Sequence, residues 1–436
     1  MMLSLSKDNH VLKAGDININ ESEYTVSGLG RRGMEYAYDN QKAYVHVFDV
    51  SSQQPKGFKG FGIPKSEISI FGGVAGYTFY ENKISVRAIY IGGKDNPQQG
   101  VNVGTPSSNT GREGNVMALV EETRLFENKL NLKAEFARSN YDGDLTDNME
   151  AIGDNALNLG AGFSYGAFSL GASYKYVGKD FNSIGLQYLT NDRKGYEATI
   201  GLRTDRVNLT GSSTMQKDNV KSDPTKYTTR DNNSNLNLSL TLSGNVSLNF
   251  GYKRDKQKTF QGDVETSLQD SLTNEYSGAL NLSLKQSANI NISFTNSRLS
   301  SENNPQNDTS AFTLNLGGSF RRGESFSLTP TFGYSKASNK FTAEETITYN
   351  SLLTGEIAFV PRLFSLLFSG SFARSELSPD NISNLLDIGG GLNLYLDKLI
   401  KIGSIVFSLK GSYNHSDLPG VQSSDYKIFL QCDFSF

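Results

Sequence analysis

The chain has 436 residues, a mean hydropathy of −0.41 and a formal net charge of −3, with 42 Lys plus Arg against 45 Asp plus Glu. No run of about 18 apolar residues occurs, which excludes helical membrane spans, and balanced charge without a basic tract argues against a nucleic-acid partner. The 43 glycines, 26 phenylalanines and 21 tyrosines beside only 10 prolines favour one large β architecture, residues 1–436, over several small domains, and the lone Cys432 leaves no intrachain disulfide or Cys-based metal site.

The start, MMLSLSKDNHVLKAGD, lacks a basic end followed by an apolar core, so no signal peptide is expected there. VLKAGDINI reads as a strand, pairing with one that begins near Glu23. Because this strand-like pattern starts within the first 20 residues or so, no N-terminal plug domain is expected. Further on, Leu130, Leu132, Ala134 and Phe136 alternate with Asn131, Lys133 and Glu135. Leu236, Leu238, Leu240 and Leu242 alternate with Asn237, Ser239 and Thr241; past a Ser243-Gly244-Asn245 turn, Val246, Leu248, Phe250 and Tyr252 continue the pattern. Leu280, Leu282 and Leu284 then lead through a turn near Lys285-Gln286-Ser287 to Ile290, Ile292 and Phe294. Phe312, Leu314 and Leu316 lead through Arg321-Arg322-Gly323-Glu324 to Phe326 and Leu328. Phe364, Leu366 and Phe368 share a parity, as do Ile405, Phe407 and Leu409. A period of two places each apolar set on one face of a strand, and runs of about ten residues match a tilted membrane-crossing strand.

Short connectors alternate with long ones. Tyr80-Glu81-Asn82-Lys83, Phe126-Glu127-Asn128-Lys129, Ser164-Tyr165-Gly166-Ala167 and Arg203-Thr204-Asp205-Arg206 are short. Segments 93–113, 140–155, 217–234, 255–273, 298–310 and 417–424 are long and polar. Short periplasmic turns and long extracellular loops characterise an up-and-down transmembrane β-barrel, here of about 22 antiparallel strands within a range of roughly 18 to 26. A soluble sandwich needs no such alternation, and a parallel β-helix would repeat similar corners at each coil. The polar parity carries Asn, Ser, Thr, Gly, Lys and Glu, as a water-filled lumen requires. Two features sit awkwardly: there is no tryptophan for the aromatic girdles, leaving Tyr252, Tyr334, Tyr413 and Phe436, and Pro330 falls inside a strand, where a bulge or early loop is expected.

The last strand, DYKIFLQCDFSF, sets Tyr426, Ile428, Leu430, Phe434 and Phe436 on one parity and ends on phenylalanine. It resembles the C-terminal signature of Gram-negative outer-membrane β-barrel proteins. That resemblance implies outer-membrane location, contact with lipid and recognition by the barrel-assembly machinery. Gly15-Asp16 with Ser27-Gly28 and Arg31-Arg32-Gly33 is similar to a GD…RG pattern in large Gram-negative outer-membrane proteins. Phe181-Asn182-Ser183 with Asn191-Asp192-Arg193-Lys194-Gly195-Tyr196 has the same flavour, and some such barrels are linked to secretion or surface machinery.

Little points to catalysis. His10, His46 and His415 are the only histidines, none beside a recognisable nucleophile or at metal spacing, so no enzyme activity and no cofactor are expected. YDGDLTDNME offers Asp142, Asp144, Asp147 and Glu150 as a weak calcium candidate. Alternation turns Arg87, Lys133, Glu135, Lys253, Lys410, Lys427 and Asp433 toward the lumen, where mixed signs predict weak ion selectivity. The expected function is an outer-membrane channel for small polar solutes or ions, with loops such as 93–113 and 217–234 folding inward. The alternative is a barrel enclosing a partner protein, as a secretion pore component or a sleeve for an electron-transfer protein.

Overall fold

The computed structural model describes residues 2–52, 68–95, 111–147, 149–186, 188–262, 264–284, 287–361, 363–377, 381–395, 404–418 and 421–435. Among them 23 strands belong to one antiparallel sheet, with no α-helix and a single 3-10 turn at Pro305–Asn307. The first ten are β1 (Met2–Lys7), β2 (His10–Ile19), β3 (Leu29–Asp39), β4 (Ala43–Ser51), β5 (Ser69–Phe79), β6 (Ile84–Asp95), β7 (Arg112–Leu125), β8 (Leu130–Asp142), β9 (Ile152–Tyr165) and β10 (Phe168–Val177). Then come β11 (Arg193–Arg203), β12 (Val207–Asp218), β13 (Tyr227–Ser243), β14 (Val246–Gln261), β15 (Val264–Leu284) and β16 (Ala288–Ser300). The last are β17 (Thr309–Arg322), β18 (Phe326–Asn339), β19 (Glu345–Val360), β20 (Phe364–Leu377), β21 (Asn381–Tyr395), β22 (Ser404–Leu418) and β23 (Val421–Ser435). The chain divides into two compact units. Unit 1 holds Met1–Gly201, Ser212–Asn232 and Thr259–Glu265, and unit 2 holds Leu202–Gly211, Asn233–Lys258 and Thr266–Phe436.

Each strand from β1 to β10 pairs with the next, as does each from β15 to β23. The register explains why the leucine-rich alternation folds this way. Between β16 and β17, Ile292 stands opposite Leu316 and Phe294 opposite Leu314, while Asn291 meets Gly317 and Ser293 meets Asn315. Slipping by one residue would send every apolar side chain to the wrong face.

In unit 2 the apolar face is exposed and bounded by aromatic belts. Tyr252 stacks on Tyr276 at 5.1 Å between centroids, Tyr334 on Tyr349 at 5.3 Å and Tyr413 on Tyr426 at 4.7 Å. Phe312 joins this row beside Tyr334 at 6.2 Å. A second row at the short-turn ends includes Phe320, Phe326, Phe359 and Phe364. From Phe312 to Phe320, and from Phe326 to Tyr334, is eight residues, about 27 Å along a strand. Tilted by 35–45°, that length spans roughly 20 Å, close to the apolar band of an outer-membrane barrel. Tyrosine and phenylalanine form the girdles here without tryptophan.

Several expectations change. The chain that should pair with VLKAGDINI begins at Leu29 rather than near Glu23, and residues 20–28 form a loop. An additional strand, β1, forms a hairpin with β2 through Asp8 and Asn9. Segment 255–273 is no long loop: β14 runs to Gln261 and β15 starts at Val264. Polar composition misled there, because a strand whose two faces both meet water loses its hydrophobic alternation. Within 217–234 only 219–226 lies outside strands, and within 298–310 only 301–308 does. Most of segment 93–113, the Lys285-Gln286 part of its turn and Phe436 lie outside the described residues. Pro330 stays within continuous β18, opposite Leu353 of β19. The missing N–H shows instead as a lapse in pairing with β17 between Thr331 and Leu328.

Candidate functional site: a loop assembly on the inner face of unit 1

In unit 1 the face opposite the exposed apolar one is itself apolar. Phe48, Val50, Ile70, Val74, Ile89, Ile91, Val116 and Val120 are all buried there, which corrects the expectation of a uniformly polar inner parity. Their other face carries Val47, Phe71, Tyr90, Met117 and Leu119, each more than a third exposed. Strands apolar on both sides need cover on both sides. On the inner side the cover is the 20–28 loop, packed with the loop between β10 and β11.

The 20–28 loop is rooted in a hydrophobic core. Tyr24, Val26 and flanking Ile19 and Leu29 are no more than 1% exposed, each worth about 2 kcal/mol when buried. Tyr24 meets Phe181 of the second loop edge-on at 6.0 Å. Its hydroxyl donates to the Leu157 carbonyl at 3.3 Å, and its backbone N–H donates to Glu135 Oε1 at 2.9 Å. Burial pushes the Tyr24 hydroxyl above the ordinary tyrosine range, reinforced by the charges of Glu23 and Glu135, so it stays protonated. Ser183 donates to the Thr25 carbonyl at 2.6 Å, and Asn182 N–H donates to Ser139 Oγ at 3.2 Å. A Cβ at Gly185 would fall 2.7 Å from that same Thr25 carbonyl, so only glycine allows the two loops to approach so closely.

A buried polar cluster fastens the start of the loop. Glu21 bonds His46 Nδ1 and accepts from the Tyr44 hydroxyl at 3.4 Å. His46 Nε2 stands 3.7 Å from Glu35 Oε2, and Glu35 Oε1 is 2.6 Å from the Lys13 ammonium. Arg87 donates to the Glu21 carbonyl at 3.2 Å and faces Glu122 at 3.5 Å. Farther along, Glu23 accepts from Asn158 at 2.7 Å and Lys175 at 2.6 Å. Polar groups as buried as Glu21, Glu35 and His46 are tolerable only when partnered. Removing one partner would leave another buried and bare.

The two motif segments picked out in the sequence take different parts in unit 1. Gly15 lies opposite Gly33 and Asp16 opposite Arg32, whose guanidinium holds the carboxylate through 2.7 and 3.1 Å bonds. Arg31 turns the other way and donates to the Ser52 carbonyl at 3.0 Å. A Cβ at Gly33 would stand 2.3 Å from the Asp49 carbonyl, so β3 and β4 close only around glycine there. In the other segment Asp192 accepts from Val220 N–H at 2.9 Å, linking the 219–226 loop. Lys221 then reaches Asp154 at 3.0 Å and Asp180 at 3.2 Å, and these bonds raise its pKa above the usual lysine value. The second motif anchors the inserted loops, while the first ties β2 to β3 and β3 to the end of β4.

The expected lumen charges divide accordingly. Arg87 and Glu135 are anchors of the loop, and Lys133 stands 3.7 Å from Glu135 Oε2. Lys253, Lys410, Lys427 and Asp433 lie on the polar face of unit 2, Lys253 beside Asp255 at 2.8 Å and Lys427 beside Asp425 at 3.0 Å. Lys410 donates to Gln431, which in turn donates to Asp433. Around them the wall is amide and hydroxyl: Asn291 donates to Asn281 at 2.5 Å, and Asn281 to Ser247 at 3.4 Å. A concavity of about 540 Å³ there is lined by residues including Asn245, Ser247, Asn281, Asn289, Asn291 and Thr331.

The structure does not bring the four loop acids together. Asp142 and Asp144 accept from N–H groups two residues on, as does Asp147 from Met149, and among the described residues no metal-sized group forms from Asp142, Asp144, Asp147 and Glu150. The Thr146 hydroxyl at 2.6 Å lowers the Asp144 pKa further. His10 lies against Tyr36 and Tyr38, and His415 bonds Ser424 at 2.9 Å. Of the terminal-strand residues, Tyr426, Ile428 and Leu430 are 76%, 80% and 79% exposed. The side chains of Phe434 and Phe436 lie outside the described residues.

No family profile matches the chain, and no curated protein matches it. Among solved structures it is similar to a bacterial polysaccharide outer membrane secretin, with 10% identity over 82% of this chain and 98% of the other and a TM-score of 0.30. OmpT, an outer membrane protein of Vibrio cholerae, aligns at 12% identity over 74% and 98%, with a TM-score of 0.31. A mutant of the Rh. blastica porin aligns at 14% identity over 71% and 98%, with a TM-score of 0.24. The proteins it is similar to are outer-membrane and porin structures, and the likeness is too slight to carry an argument about this chain.

Proposed function

We propose that the sheet closes into an outer-membrane β-barrel that passes small polar solutes or ions. The two-faced sheet of unit 2 carries this reading. One face exposes Leu, Ile and Phe between tyrosine and phenylalanine belts; the other presents Asn, Ser, Thr and Gly, with backbone groups paired strand to strand. In hydrocarbon, unpaired edges are too costly, so such a sheet is stable only when closed. A polar, water-filled interior then follows from the second face. Lys253, Lys410, Lys427, Asp425 and Asp433 supply both signs, which supports passage with little ion selectivity.

In that barrel the loops of unit 1 lie at the long-loop, outward-facing end and narrow the entrance along the wall they cover. The exposed parity of β23 would serve as the assembly signal, and the chain would carry no enzymatic activity. Conductance of the purified protein in planar bilayers tests the reading: steady channels are expected, and insertion without conductance would refute an open pore. That second outcome, with a polypeptide retained through purification, would favour a barrel enclosing a partner, a reading to which the uncovered polar wall of unit 2 lends support.

A further inference from the structure

Several outward-facing cations on this protein are paired with carboxylates on the same face. Arg32 holds Asp16 at 2.7 Å, Lys94 holds Glu113 at 2.6 Å, Lys336 holds Glu345 at 2.7 Å and Arg374 holds Glu376 at 2.6 Å. A row of three in unit 1 has no such partner. Lys194 of β11, Lys217 of β12 and Arg230 of β13 form a line near the long-loop ends of their strands, with both Lys194 and Arg230 in coulombic range of the Lys217 ammonium. Among the described residues no carboxylate lies within 4.0 Å of any of the three.

The orientation of the row is fixed by its neighbours. Tyr196, two residues below Lys194 on the same parity, packs on Tyr174 at 4.8 Å and is 64% exposed. Met215, two residues below Lys217, is 55% exposed. The Arg230 guanidinium carbon lies over the Phe260 ring, 4.2 Å from its centroid, which holds the group on this face. Two residues are about 7 Å of strand, so the cations stand one step outside a tyrosine belt. Like charges side by side across strands repel one another, and among the described residues no carboxylate pairs with them.

We propose that this row binds the phosphate groups of anionic lipid in the outer leaflet, an assignment that rests on the outer-membrane reading above. Charge, spacing and depth agree. Tyrosines mark the level where acyl chains give way to headgroups, and phosphate is the anion met one step beyond. The guanidinium supplies a fork and the two ammonium groups supply point charges, a set suited to phosphate oxygens. The bound lipid supplies the counter-charge that carboxylates provide for Arg32, Lys94, Lys336 and Arg374.

The test uses the full-length protein in detergent, titrated with diphosphorylated lipid A and, separately, with its dephosphorylated form, binding being read by native mass spectrometry. At about fivefold per cation near a charged lipid surface, the variant carrying Lys194→Gln, Lys217→Gln and Arg230→Gln should bind the phosphorylated lipid roughly 100-fold more weakly. Lys253→Gln on the opposite face should leave binding unchanged. Without lipid the triple variant should melt at the same temperature or higher, because repulsion has been removed. Equal binding by parent and triple variant, or equal binding of the two lipids, would overturn the proposal; so would full displacement by low-millimolar inorganic phosphate. Failure of the outer-membrane reading would appear separately, as inability of the parent protein to enter bilayers.

Discussion

Replacing Tyr24 with alanine is the sharpest test of the loop assembly. The ring is 1% exposed, packs edge-on against Phe181 and donates its hydroxyl to Leu157. Emptying such a site costs about 4 kcal/mol, and none of that loss falls on strand pairing, because Tyr24 lies between β2 and β3. The full amount therefore acts on docking of the 20–28 loop and multiplies the undocked population by about three orders of magnitude. Ala137, fully buried on β8 between the loop anchors Glu135 and Ser139, reports that population. With Cys432→Ser to remove the native thiol, Ala137→Cys should react slowly with a water-soluble maleimide in the parent. Adding Tyr24→Ala should accelerate labelling at least 100-fold while leaving the protein folded by circular dichroism. Unchanged labelling would refute the view that the loop is held by this side chain.

The hydroxyl makes a separate prediction about pH. Burial raises the docked pKa above its ordinary value of 10.0, so the stabilisation is complete below pH 10 and declines as pH rises toward the docked value. Maleimide cannot follow this at high pH, so cleavage within residues 20–28 by subtilisin, which is active in alkali and would be added at each pH, would serve: cleavage should rise above pH 10 in the parent and stay flat in Tyr24→Phe. Gly33→Ala sets a methyl group against backbone atoms of Asp49 and Val50 and should cost roughly 1–3 kcal/mol in urea unfolding. Gly30→Ala, with open space around the new methyl, should shift stability by less than about 0.5 kcal/mol. Equal effects at both glycines would show that the close β3–β4 approach is not the cause. Leu316→Arg puts a charge midway between Phe312 and Phe320 on the outward face of β17. It should destabilise the protein by about 2–4 kcal/mol in bilayers and almost nothing if that face met water.

Much of the sheet could be read from the chain because the Leu, Ile and Phe parity of β13 to β18 must stay on one side of a pleated strand whatever surrounds it. Two of the short turns were equally legible, whereas 417–424, expected as a long loop, is strand up to Leu418 and again from Val421. Tyr80-Glu81-Asn82-Lys83 and Phe126-Glu127-Asn128-Lys129 both turn through three successive left-handed residues, with φ of 47, 55 and 68° in one and 53, 59 and 67° in the other. Asparagine at the third place eases that conformation. Strand ends were not legible where chain runs beyond the apolar band, since Arg254 to Gln261 in β14 are polar on nearly every residue.

The inserted loops escaped for a different reason, although a signal for them exists. Tyr24 and Val26 lie in a short polar stretch, NESEYTVSG, whose few apolar residues give no period. The sign lies instead in what they cover. In AYVHVFDV, SIFGGV, VRAIYIGG and NVMALV, apolar residues occupy both parities, unlike NLNLSLTL in β13. A strand with lipid on one side and water on the other has no use for Val50, Ile91 or Val116 on its wet face, since exposing each would forfeit about 2 kcal/mol. Two-sided hydrophobicity in β4 to β7 therefore requires an apolar cover on the inner side. The same excess makes His46 intelligible: a histidine placed among Phe48, Tyr44 and Glu35 needs a partner of opposite character, and Glu21 arrives with the loop to provide it. The polar cluster thus sets where the loop begins to dock, and the apolar face beneath Tyr24 and Phe181 supplies the reason that it stays.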